Sequence, residues 1–124
     1  MSISTECPTC GQIFARMVND ADFAAQAWDI ACIMLHVPPS DRSAGPQAQN
    51  RHQPAAIARQ LAMVLCMDGL QWGKQRTGRA FDRDASCATN ARRTVRNISA
   101  TDKEMAKIEA NARRLFASAI YGIV

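Results

Sequence analysis

The chain predicts an all-α fold, a helix-turn-helix bundle of about five helices with an N-terminal Cys-x-x-Cys arm. Three observations carry this. Apolar residues recur at helical spacing in several segments, each bounded by a capping residue or a breaker. Between Arg59 and Arg96, two helices and a tight turn have the spacing of a DNA-reading module. A hydrophobic content of 48% in 124 residues supplies a single core. The organisation that follows is an arm over residues 1–19, a helical domain over 20–98, and a last helix with an apolar tail over 99–124.

In chain order, Cys7-Pro-Thr-Cys10-Gly has the form of one knuckle of a zinc ribbon, which points two thiolates at one metal. Tetrahedral zinc needs two further ligands. Cys32 and His36, read as one helical turn apart, complete a candidate set of Cys7, Cys10, Cys32 and His36 for a structural zinc. The competing readings are Cys32 as core filling, a free Cys-x-x-Cys arm, or a site shared with a second chain. Five cysteines with no secretory signal fit thiols or metal ligands better than a disulfide framework.

A helix is predicted from about Ala21 to Leu35, capped by Asn19 or Asp20 and stopped by Pro38-Pro39. Residues 40–53 lose all periodicity and read as a surface loop with one short helical turn. Pro54 then precedes a scaffold helix whose apolar positions are Ile57, Leu61, Val64 and Leu65. A short helix from about Gly73 to Phe81 and a turn lead to Asp84, placed to cap a third helix. In that helix Ala88, Ala91, Val95 and Ile98 face the core, which turns Ala85, Ser86, Thr89, Asn90 and Arg93 outward. Ser99 or Thr101 caps the last helix, Thr101 with Glu104 forming a capping box, and Met105, Ile108, Ala112, Leu115 and Phe116 share one face. The tail from Ala119 to Val124 is apolar; it docks on its own core, on a partner, or in a homodimer seam.

The runs Arg59-Gln60-Leu61-Ala62-Met63, Gly78-Arg79-Ala80-Phe81 and Arg83-Asp84-Ala85-Ser86-Cys87 resemble the C-terminal DNA-binding domain (domain IV) of DnaA, the bacterial replication initiator, a helix-turn-helix of the Trp-repressor-like superfamily. The resemblance covers about residues 22–98. It implies that Arg59 enters the minor groove, that Gly78 and Phe81 pack the helix-turn-helix, and that Arg83 and Asp84 are the family's Arg-Asp pair. Trp28 to Ser43 resembles the domain's first helix and following loop, and the resemblance implies that the region between Ser40 and Gln53 approaches the DNA backbone, where Arg42, Arg51 and His52 are either backbone contacts or exposed loop charge. Three features depart from the family: its histidine is Ala85 here, its two threonines are Ser86 and Cys87, and the turn is about one residue shorter. Specificity is expected to shift more than affinity.

The net charge of +4 conceals a segregation. Residues 51–96 hold nine basic and three acidic groups, the first fifty hold two and five, and the last twenty-eight hold four and three. The positive charge falls on the expected reader, where Lys74, Arg76, Arg79, Arg92, Arg93 and Arg96 are candidate phosphate clamps. Five phosphate contacts would give a slope of log affinity against log salt of roughly −4 to −5. Base readout falls to Ser86, Thr89 and Asn90, the last able to make a bidentate contact with adenine. Cys87, near a helix N-terminus and Arg83, is either a reactive thiol whose oxidation ejects the protein from DNA or a small apolar filler.

These features predict a non-enzymatic, sequence-specific binder of double-stranded DNA that acts as a monomer. The Gly73-Lys74 pair lacks the rest of a phosphate loop, having Asp68 at the first glycine position and Gln75 after the lysine. His36 and His52 lie in different segments and form no hydrolase constellation. The resemblance implies either a transcription regulator, such as an activator of phage-like or gene-transfer genes, or a regulator of replication initiation. The partners it implies are RNA polymerase, a sigma-like factor or a replication protein. A protein-interaction adaptor with a zinc-binding arm is the alternative of a different class. No apolar run approaches the roughly 20 residues of a membrane span, so the expected location is cytoplasmic and nucleoid-associated.

Overall fold

Asn19 starts the first helix as an N-cap does, with extended backbone and a side-chain oxygen that accepts the Asp22 N–H at 2.9 Å. The computed structural model describes residues 19–49 and 53–121. Among them the chain forms six helices and no strand: α1 (Asp20–Met34), α2 (Pro39–Ala44), α3 (Ala55–Gly69), α4 (Lys74–Ala80), α5 (Ala85–Thr101) and α6 (Lys103–Tyr121). The fold is all-α. The count exceeds the expected five because Pro39 occupies the first turn of a short helix, which Gly45 ends at φ 90°. The Cys-x-x-Cys arm lies outside the described residues, and no helix among them is long and apolar enough to cross a membrane.

The core is built around α3. Seven consecutive residues, Leu61 to Met67, are buried, so this helix is enclosed rather than amphipathic, with α1, α4, α5 and α6 packed around it. Helix α1 turns Ala24, Ala27, Trp28, Ile30 and Ala31 inward, and α5 turns in Ala88, Ala91 and Val95, whose small side chains let the helices approach closely. Helix α6 contributes Met105, Ala112, Phe116 and Ile120. Leu115, expected on the same face, is 46% exposed. Gly69 leaves room for α6: a Cβ there would lie 3.0 Å from the Phe116 ring. In the apolar tail Ile120 is buried, whereas Tyr121 is 64% exposed with its Oη donating to the Gly69 carbonyl at 3.2 Å.

The start of α6 differs from the expectation. Helix α5 runs on to Thr101, whose hydroxyl donates back to the carbonyls of Asn97 and Ile98. Neither Ser99 nor Thr101 is free to cap. Asp102 takes that role, its Oδ1 accepting the N–H groups of Glu104 at 2.9 Å and Met105 at 3.3 Å.

The junction of α4 and α5 is close. Phe81 is fully buried, Asp82 adopts φ 55°, and the Arg83 N–H donates to the Gly78 carbonyl at 2.7 Å. A Cβ on Gly78 would stand 2.6 Å from the Arg83 carbonyl oxygen, a backbone atom that cannot rotate away. Gly78→Ala is therefore expected to cost at least about 1–3 kcal/mol by overpacking, read as a lower urea midpoint. An unchanged midpoint would show that the turn relaxes freely.

Candidate nucleic-acid interface

At about 100° per residue, α5 divides into two faces. Ala88, Ala91 and Val95 point to the core, whereas Ser86, Thr89, Asn90, Arg93, Arg96 and Asn97 are exposed, with Ala85 and Cys87 half-buried at the N-terminal turn. The outward groups make only long local bonds. Thr89 Oγ1 donates to the Ala85 carbonyl at 3.4 Å, and Arg93 donates to Asn90 Oδ1 at 3.4 Å. Asp84 has the extended backbone of an N-cap, but its carboxylate accepts no helix N–H. The Cys87 amide bonds instead to the Asp84 main-chain oxygen at 3.0 Å. The expected side-chain cap is thus absent, and the Asp84 backbone is held close beneath Gly78.

The basic residues fall into two groups. Arg59, expected in a minor groove, is 3% exposed and serves the protein interior. Its Nε donates to the Pro46 carbonyl at 2.9 Å, its Nη2 to that of Gly45 at 3.3 Å, and its guanidinium lies 4.8 Å over the Trp28 ring. Burial, aided by the nearby charge of Arg83, pulls its pKa below the ordinary arginine value. Arg83 also turns inward, donating to the Ala48 carbonyl at 2.6 Å and to that of Phe81 at 3.0 Å. Arg76 forms a bidentate pair with Asp20 (3.0 and 2.8 Å) above the Trp72 ring, and Phe23 packs edge-on against that ring. Hydrogen bonding from Arg76 holds the Asp20 carboxyl below its usual range. Arg92 pairs with Asp68 at 3.0 Å. Lys74, Arg79, Arg93 and Arg96 are exposed and pair with no carboxylate among the described residues.

Residues 45–49 pack along this edge, tied to α3 by Arg59 and to the α4–α5 turn by Arg83 and by Gln47, which donates to the Ala80 carbonyl at 2.8 Å. Between this segment and α5 lies an open cleft of about 440 Å³, lined by Gln49, Gln60, Met63, Arg83, Cys87 and Asn90 among others. Arg42 pairs with Asp29 at 3.5 Å on the α1–α2 side, while Arg51 and His52 lie outside the described residues.

Of the four candidate zinc ligands, only Cys32 and His36 are among the described residues. Cys7 and Cys10 lie outside the described residues. Cys32 is 1% exposed in the core, whereas α1 stops at Met34 and His36, at φ 56°, is exposed beyond it. The helical register that would align them is broken. Burial pushes the Cys32 thiol up to about 11 and that of Cys66 up to about 12. Among the described residues no three His, Cys, Asp or Glu side chains gather as a metal site.

The carboxylates that neutralise Arg76 and Arg92, and the Trp28 platform under Arg59, are absent from the sequence reading. They join residues remote in the chain, so no local spacing announces them. Comparison with protein-family models, curated proteins and solved structures returned no match.

Exposure orders the thiols. Iodoacetamide is expected to alkylate Cys87 well before Cys32 and Cys66 in the folded protein, read by peptide mass mapping. Since the two buried pKa values exceed the ordinary value of 9, their contribution to stability is complete below pH 9 and is lost as pH rises toward 11 and 12. Equal alkylation rates at all three would contradict the packing.

Proposed function

We propose that the chain binds double-stranded DNA as a monomer, through a helix-turn-helix formed by α4 and α5, and regulates transcription. The observation that carries the reading is the outward face of α5. Ser86, Thr89, Asn90 and Arg93 stand exposed on a helix whose opposite face is locked in the core, flanked by Lys74, Arg79 and Arg96, and none of these four cations pairs with a carboxylate among the described residues. Such a helix fits the major groove, with its N-terminal N–H groups near a phosphate.

Within this reading, Asn90 offers its amide to adenine and Thr89 and Ser86 offer hydroxyls to neighbouring bases, a good bidentate pair being worth about 1–3 kcal/mol of discrimination. Lys74, Arg79, Arg93 and Arg96 bind phosphates. Arg59, Arg76 and Arg83 hold the elements in place rather than touch DNA. The reading keeps the helix-turn-helix suggested by the resemblance to the initiator domain and replaces its minor-groove arginine with a buried staple.

With four contacts, the slope of log affinity against log salt is expected near −3.6, that is about −0.9 per phosphate, measured by fluorescence anisotropy on genomic duplexes. Arg93→Ala should flatten the slope by about 0.9, and Asn90→Ala should lower discrimination between sites with little change in slope. Chromatin immunoprecipitation then separates roles: peaks at promoters fit transcription, and peaks at an origin fit replication. Failure to retard any duplex in dilute buffer would remove the reading.

A further inference from the structure

Arg92 belongs by position to the basic edge of α5, yet its guanidinium is turned aside. On the helical wheel it lies between the core face and the outward face, next to Arg96 and Thr89. Its Nη2 sits 3.0 Å from Asp68 Oδ1, at the C-terminal end of α3. The other oxygen of the same carboxylate takes Arg113 Nη1 of α6 at 2.7 Å. Arg113 is held in turn by Glu109, which also accepts the Ser99 hydroxyl of α5 at 2.7 Å. Asp68 therefore sits between two guanidinium groups and is fixed by one of them. Hydrogen bonds to Glu109 and Asp68 raise the Arg113 pKa despite the opposing effect of its burial.

We propose that Asp68 is an internal counter-charge that withholds Arg92 from DNA phosphates and so limits the affinity of the α5 edge. The inference rests on the DNA-binding reading above. The Arg92 side chain is 43% exposed and that of Asp68 32%, so Arg92 reaches solvent by rotation of its own side chain, without repacking. An isolated exposed pair would yield readily to a phosphate. This one is different, because Arg113 keeps the Asp68 carboxylate aimed at Arg92. If Asp68 loses its charge, α6 stays fastened by the Ser99–Glu109 hydrogen bond and by the burial of Met105, Ala112, Phe116 and Ile120, while Arg92 is released.

The test is a double-mutant cycle in duplex binding by the full chain, read as affinity and salt slope, with circular dichroism to follow folding. Asp68→Asn is expected to tighten binding several-fold and to steepen the slope by about 0.9, one further phosphate contact. Arg92→Ala alone should leave the wild-type slope unchanged. The double variant should return to the wild-type slope, since the gain runs through Arg92. Two results overturn the inference while leaving DNA binding intact: Asp68→Asn that is folded but no tighter, or a gain that persists in the double variant. Should Asp68→Asn fail to fold, Arg92→Ala decides alone, because a slope flattened by about 0.9 means that Arg92 already contacts phosphate in the wild type. A wild-type protein that binds no duplex overturns the functional reading and this inference with it.

Discussion

A nearly fully buried guanidinium holds the candidate interface together. Removing an arginine from water costs several kcal/mol unless its donors are satisfied. Arg59 meets that demand with the Pro46 and Gly45 carbonyls and the face of Trp28. Trp28 is itself oriented by its indole N–H, which donates to the Arg42 carbonyl at 3.0 Å. The interaction thus gathers α1, α2, α3 and the 45–49 segment at one point. Once that segment is fixed, its carbonyl at Ala48 receives Arg83, and Gln47 reaches the end of α4. The turn before α5 is then determined, and with it the direction in which Ser86, Thr89 and Asn90 face. A lysine could not substitute, because a single ammonium lacks the planar fork that serves two carbonyls while stacking on a ring.

The same economy governs the other cations. Arg76 ties α4 to α1 through Asp20, and Arg92 and Arg113 converge on Asp68. Each of these pairs is partly exposed, where a single ion pair contributes about 0–1 kcal/mol. Their effect on geometry and on charge distribution outweighs their effect on stability. They leave Lys74, Arg79, Arg93 and Arg96 as the exposed cations of this edge that pair with no carboxylate among the described residues, beside a neutral polar face.

Much of the fold was legible in the chain. Asn19 caps α1, Pro38-Pro39 follows its end, and α4 occupies the segment bounded by Gly73 and Phe81. Ala88, Ala91 and Val95 are buried on α5 at the predicted period. These features are local: a cap acts within one turn, and a helical period is a property of consecutive residues. At the start of α6 a local signal misled: Thr101 with Glu104 has the form of a capping box, but α5 continues through Thr101 and the side chain of Asp102 caps α6 instead.

The sequence by itself determined the helical class, the Asn19 start of α1, the buried period of α5, and the concentration of positive charge between residues 51 and 96. Only the tertiary structure decided which of those charges remain available. Arg59, Arg76, Arg79 and Arg93 look alike in a one-dimensional reading, yet the first is enclosed, the second is neutralised by a residue 56 positions away, and the last two stand open. The physical reason is that a side chain's free energy depends on what surrounds it in space. Helix packing brings together carbonyls, rings and carboxylates that the order of residues keeps apart.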